Sequence, residues 1–274
     1  MACVNDVDFA SFAARLAEVS SEAILPFFRS EIGAEDKSNG DDFDPVTEAD
    51  RAAEVVMRDL IRETFPDHGI IGEEYGAERP EADYVWVLDP IDGTKSFISG
   101  LPTWGTLIGL MKFGQPVYGM MSQPFTRERY SGDGKRTRWR GLAPPRGDSA
   151  NGAWSNRRLR SRACASLAQA SLMTTSPLLF NEQDRAAYRR LEKVTRLVRY
   201  GGDCYAYCML ASGFVDVIVE ANLKPYDVVA LVPIITGAGG VVTNWEGGPA
   251  ALGGRIVAVG DPGLHAEVLA LLAG

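Results

Sequence analysis

The chain has 274 residues, 46% hydrophobic and 23% charged, with a formal net charge of −8. That length buries a full core in one large domain or two packed halves, and the composition excludes disordered and fibrous classes. No apolar run reaches the ~20 residues of a membrane span, and the acidic excess opposes broad nucleic-acid binding, which needs clustered Lys and Arg.

The opening "MACVNDVDFASF" has no basic segment before its apolar residues, so no secretory leader is expected and the expected compartment is the cytoplasm. Residues 7–29 carry an apolar stripe at Phe9, Phe12, Leu16, Val19 and Ala23, predicting an amphipathic helix. A polar, Gly-containing loop follows over 31–45, of a length that compact domains reserve for function. A second helix is expected from Thr47, where Thr47 and Asp50 offer a capping-box start, to about Phe65. "GIIGEEYG" and "YVWVLDP" are short buried strands, and 104–140 breaks into β segments punctuated by Gly and Pro. The turn-rich 143–158 is the expected connection between an N-terminal half (1–145) and a C-terminal half (146–274). Beyond it, strands in "SLMTTS", "RLVRYG", "FVDVIVE" and "GGRIVAVG" alternate with helices at 181–194, 203–212, 226–238 and 262–272, an α/β pattern.

Cys204 and Cys208 stand at helical spacing without a second Cys or His pair, so they read as buried thiols, and Cys3 and Cys164 complete the four cysteines. His68 and His265 lie in a turn and on an amphipathic helix, away from any nucleophile motif, and read as turn or surface residues. The basic runs at 156–162 and 185–199 read as solvated faces.

Three short apolar segments end in acid: Glu73 and Glu74, Asp89 and Asp92, and Asp227. Each has an ordinary reading alone: a solvated loop acid, an Asp-Gly turn, a helix-start acid. Strand ends that share one crevice are where α/β proteins place their sites, and carboxylates gathered there repel unless a cation sits among them. Oxygen ligands with few histidines point to Mg2+, with Mn2+ or Ca2+ as competitors. After Asp92, "GTKSF" would turn the N–H groups of Gly93, Thr94 and Lys95 outward at a helix start, a phosphate-binding arrangement. Together these residues predict a metal-dependent site for a phosphate ester.

"DPVTEAD", "GEE", "DPIDGT" followed by Phe97, and "YD…GAGGVVT" occur in that order between about residues 37 and 243. They strongly resemble the inositol monophosphatase family of Mg2+-dependent, Li+-sensitive phosphatases. The resemblance implies a five-layer αβαβα sandwich, usually a homodimer, holding two or three Mg2+ ions that Mn2+ can replace. It implies metal ligation by Glu73, Asp89, Asp92 and Asp227, with the Ile91 carbonyl and the Thr94 hydroxyl. It further implies that Asp50 orients Thr94, that Glu73 and this pair serve the attacking water, and that Lys37 sits on a mobile loop near the metals. Tyr226 departs from the tryptophan common before the last aspartate.

"YGGDCYAYCMLASG" and "EANLKPYDVVALVPIITGAGG" look most like the histidinol-phosphate phosphatase branch, which implies L-histidinol phosphate as substrate. That substrate carries an ammonium and an imidazole, so its far end wants acids, and Asp203 and Glu220 are the expected partners. Myo-inositol-1-phosphate hydrolysis is the enzyme alternative, and binding of RNA or RNA polymerase the non-enzyme alternative.

Overall fold

The Asp8 carboxylate accepts from the Ala10 N–H at 3.1 Å and opens the first helix, α1 (Phe9–Ile24). α1 stops five residues short of the expected end, because Pro26 has no N–H to continue the ladder and disfavours helical backbone at Leu25. The chain leaves through tight turns, with Phe27 donating to the Ile24 carbonyl and Phe28 to that of Leu25. The computed structural model describes residues 8–30, 48–142 and 154–274, together with the paired backbones of β1 (Glu35–Asp36) and β2 (Pro45–Val46). Thr47, Lys37 and the expected 145/146 boundary lie outside the described residues. The second helix, α2 (Glu48–Thr64), matches its expected span to one residue at each end.

The first sheet is built from β3 (Gly69–Gly72), β4 (Gly76–Glu78), β5 (Tyr84–Asp92), β6 (Gly105–Lys112), β7 (Gln115–Gln123), β8 (Glu128–Gly132), β9 (Thr137–Leu142) and β10 (Trp154–Leu159). Their order is β10-β9-β8-β7-β6-β5-β3-β4, antiparallel except for the β3–β5 pair. β10 corrects the reading of 143–158 as connection only. Its "WSNRRL" is an exposed, charged edge strand, a composition that protects an edge from further pairing but hides the strand from apolar periodicity. The first sheet thus takes its last strand from beyond residue 146.

The second sheet, β11 (Ser171–Thr174), β12 (Leu197–Tyr200), β13 (Val217–Leu223), β14 (Val241–Asn244) and β15 (Gly254–Val259), has the order β12-β11-β13-β15-β14. Helices separate and cover the two sheets. α1 and α2 bury Phe12, Leu16, Met57 and Ile61 against Trp86, Leu88, Ile108 and Leu110 on the outer face of the first sheet. Between the sheets lie α5 (Asp203–Ala211), α6 (Pro225–Val228) and α7 (Leu231–Ala238), joining Leu107, Met121 and Trp139 to Ile218, Ile256 and Ala258. α4 (Glu182–Glu192) and α8 (His265–Ala273) cover the far side, with Tyr188, Leu191 and Val268 against Val217, Val219 and Val257. The layers run α, β, α, β, α, as the resemblance implies.

The expected single helix over 226–238 is two, because Pro233 has no N–H for the Val229 carbonyl and its ring crowds that group. α7 lies directly on the first sheet: a side chain at Gly119 on β7 would overlap the Ala230 carbonyl at the start of α7. His68 is not a surface residue. It is half-buried, stacks 4.5 Å from Phe65, and receives the Trp86 indole N–H on Nδ1 at 3.1 Å.

Candidate active site

Residues 89 and 92 of a regular strand point to opposite faces, since side chains alternate. In β5 they converge, because the pairing with β6 shifts register between Asp89 (opposite Leu107) and Asp92 (opposite Gly105). Pro90, which has no N–H for the ladder, sits in this bulge, and the Thr106 hydroxyl donates to its carbonyl at 2.8 Å. A bulge re-aims the side chain after it, and here it turns two acids toward one point. Asp227 joins them from α6, so that Asp89, Asp92 and Asp227 each place one carboxylate oxygen within 4.8 Å of the others. The Lys224 N–H donates to Asp227 Oδ2 at 2.6 Å and fixes that side chain.

Asp89 is 1% exposed, and its Oδ1 has no hydrogen-bond partner among the described residues. Burial, with the charges of Glu73, Asp92, Asp227 and Asp50 around it, drives its pKa well above the ordinary range. Burial and the charges of Asp203 and Asp227 do the same to Asp92, although the Cys204 N–H donates to its Oδ2 at 2.6 Å. A hard divalent cation takes oxygen ligands and removes this repulsion, so the donor set fits Mg2+.

Of the two glutamates after β3, Glu73 places its charge beside Asp89, and its N–H donates to the Leu88 carbonyl at 3.2 Å. Glu74 turns away and lies 3.7 Å from the Arg51 guanidinium. Asp50, buried on α2, faces the same cluster.

After Asp92 the chain reverses at Gly93 (φ 85°) into the five-residue helix α3 (Thr94–Ile98). The Thr94 hydroxyl donates to the Ile91 carbonyl at 3.2 Å, drawing together two of the expected ligands. The first N–H groups of a helix have no partner within it, so those of Thr94 and Lys95 are free of the helix's own ladder. Gly93 is required twice over: its φ is left-handed, and a Cβ there would stand 2.9 Å from the Asp203 carboxyl. Gly93→Ala is expected to cost roughly 1–3 kcal/mol of stability through backbone strain and to raise KM by displacing Asp203. Thermal unfolding and steady-state rates on one preparation measure both.

Asp203 begins α5 with φ 43°, after Gly201 and Gly202 at φ 87° and 105°. Its Oδ2 accepts from the Ser96 hydroxyl at 2.6 Å, joining α5 to α3. Burial raises the Asp203 pKa, while Ser96 and the nearby Lys95 oppose that shift. Glu220, 3% exposed on β13, accepts from the Thr175 N–H at 2.6 Å and the Thr174 hydroxyl at 3.1 Å, and burial still pushes its pKa up to about 7. Asp92, Asp203, Glu220 and Asp227 line one narrow cleft between the two sheets. Sequence reasoning missed Tyr207, which lines the same cleft and whose buried hydroxyl has no hydrogen-bond partner among the described residues. Its position four residues after Asp203 on α5 puts both on one helix face and was the available signal.

The structure thus brings together Asp50, Glu73, Asp89, Ile91, Asp92, Gly93, Thr94, Asp203, Glu220 and Asp227, with Lys95 exposed at the rim. The model of the inositol monophosphatase family matches residues 6–273. A chloroplastic bifunctional phosphatase of Arabidopsis thaliana is 44% identical, over 97% of this chain and 76% of its own. A histidinol-phosphatase of Mycobacterium tuberculosis is 34% identical over 84% of this chain and 85% of its own. Among solved structures, an inositol monophosphatase from Zymomonas mobilis superposes with a TM-score of 0.83 at 37% identity, covering 97% of this chain and 98% of that one.

Proposed function

Because the chain belongs to the inositol monophosphatase family and is a metal-dependent phosphatase, we propose that it hydrolyses L-histidinol phosphate to L-histidinol and phosphate, in histidine biosynthesis. The observation that carries this reading is the cleft wall: beyond Asp92 and Asp227, which the metal would neutralise, it adds the acids Asp203 and Glu220, and among the described residues no basic side chain lines it. Such a wall favours a substrate that is cationic opposite its phosphate, as histidinol phosphate is, over a neutral polyol ring.

Glu73, Asp89, Asp92 and Asp227, with the Ile91 carbonyl and Thr94 hydroxyl, would hold two or three Mg2+ ions. Bound there, Mg2+ supplies charge neutralisation for the phosphate and acidifies water. The backbone N–H groups of Gly93, Thr94 and Lys95 hold the phosphate oxygens. Glu73 and the Asp50–Thr94 pair orient the attacking water and accept its proton. Water adds to phosphorus, the ester P–O bond opposite breaks, and the released alkoxide takes a proton from a water beside Asp92. Asp203 and Glu220 take the ammonium and imidazole. The working form is a homodimer, and Lys37, outside the described residues, is the basic residue expected near the metals. The buried free thiols at Cys164, Cys204 and Cys208 suit a reducing compartment such as the cytoplasm.

A phosphate-release panel with Mg2+ tests the substrate, comparing histidinol phosphate, inositol-1-phosphate, fructose-1,6-bisphosphate and 3′-phosphoadenosine 5′-phosphate. Histidinol phosphate is expected to have the highest kcat/KM. Preference for inositol-1-phosphate overturns the substrate assignment and leaves the phosphatase in place.

A further inference from the structure

Beyond Asp50, α2 carries two buried charges that the site above does not use. Asp50, Glu54 and Arg58 stand at i, i+4 and i+8, so they form one stripe on the helix, and all three are buried, at 2%, 0% and 4% exposure. Amphipathic helices bury apolar stripes, and a buried charged stripe requires partners. Glu54 has them. Its Oε1 accepts from Arg58 Nε at 2.7 Å and from the Tyr75 N–H at 3.1 Å, and its Oε2 accepts from the Glu74 N–H at 2.8 Å. The Arg58 guanidinium in turn donates to the Gly76 carbonyl. Gly72 lies flat against the Glu54 carboxylate, where any side chain would overlap it. Among the described residues, every hydrogen bond that this pair makes beyond itself therefore goes to the backbone of residues 74–76, directly after Glu73, while Gly72 packs against the carboxylate from the other side.

We infer that Glu54, neutralised by Arg58, is a positioning residue for the metal site: it clamps the 72–76 turn so that Glu73 stays aimed at Asp89. The inference rests on the reading of Glu73 as a metal ligand. The partner of the clamp is a pair of backbone N–H groups, which a carboxylate holds more firmly than a neutral acceptor. Without it the turn relaxes, and the ion must order Glu73 as it binds. The chemistry of the loaded site is unchanged, so the loss falls on metal affinity rather than on turnover at saturation.

The test compares Glu54→Gln, the apolar double replacement Glu54→Leu with Arg58→Met, and Glu73→Gln as a control. Mg2+ is titrated into substrate-free protein by calorimetry, and activity is followed against Mg2+ concentration. Glu54→Gln is expected to raise the Mg2+ dissociation constant roughly 10- to 100-fold, the usual scale for a group that orients a ligand. Excess Mg2+ is expected to restore kcat to within about threefold of the parent, since the transition-state contacts remain. The double replacement removes the buried charges together, so it tests the clamp in a fold that keeps no unpaired ion, and it is expected to show the same Mg2+ shift. A lower unfolding temperature with an unchanged Mg2+ dissociation constant, in either variant, assigns the pair to structure alone and overturns the inference. If Glu73→Gln also leaves Mg2+ binding unchanged, the reading of Glu73 as a ligand fails with it. If Glu73→Gln weakens binding and both clamp variants do not, the clamp alone fails.

Discussion

Asp89→Asn is expected to lower Mg2+-dependent phosphatase activity by roughly 10²- to 10³-fold, the scale of removing one preorganised electrostatic group from a site. The same change is expected to raise the unfolding temperature of the metal-free protein by a few degrees. The two signs follow from one cause. Asp89 is buried among four other acids with an oxygen that has no partner among the described residues, so its charge destabilises the fold until a cation arrives. Asn fills the same space without that charge. The stabilisation by added Mg2+ is therefore expected to shrink in the variant, since less binding energy is available to favour the folded state. Phosphate release and thermal unfolding with and without Mg2+ measure all three. Full activity in Asp89→Asn would falsify the placement of the metal.

Glu220→Gln is expected to raise KM for histidinol phosphate roughly 10- to 100-fold, the worth of one charge-assisted hydrogen bond to a cation, with kcat little changed. A small aryl phosphate, which has no cationic end, is expected to lose nothing. The pH dependence sharpens the test. Glu220 titrates near 7 in the folded protein, raised from 4.5 by burial. A cationic substrate wants the ionised form, so Glu220 lowers KM as pH rises through about 7. The substrate's own titrations are common to both proteins, so the ratio of their KM values across pH isolates Glu220. For stability the sign is opposite. A raised carboxyl pKa contributes stability that is full below 4.5 and is lost as pH climbs to about 7, and Gln removes that slope. A KM ratio flat across pH 6–8 would remove Glu220 from the substrate's binding end.

The metal-proximal half of the site was legible in the residues, because strand, acid and glycine follow one another locally. "VWVLDPIDGT" shows both acids and the turn; Pro90 was the visible sign of the bulge that makes them converge. α2 was legible to one residue from its 3.6-residue period, but the proline stops at Pro26 and Pro233 were passed over, and two expected helices came out shorter. The strand Trp154–Leu159 was hidden because an edge strand is polar by necessity. The acids of the cleft's far wall, Asp203 and Glu220, were expected, but nothing local showed how they reach the site. Asp203 and Glu220 meet Asp92 only through packing between sheets, and the one mark of Tyr207 beside them was its spacing four residues after Asp203. Glu54 was likewise invisible: in sequence it is one more acid on a charged helix, and only its burial shows its partners.

The hydrogen bond from the Cys204 N–H to Asp92 closes a loop of 112 positions. Contacts of such span are made after the local ones, because the entropy of closing the intervening chain must be met first. β3 to β9 and the helices beside them can assemble as hairpins and neighbours, bringing the acids of β5 together early. The wall from α5 and β13 waits until the second sheet has formed and docked. During synthesis the acids of β5 emerge well before Asp203, Glu220 and Asp227, so a partly made chain carries charge without its enclosing pocket. Commitment to a working enzyme is in this sense a late event, set by the meeting of the two sheets.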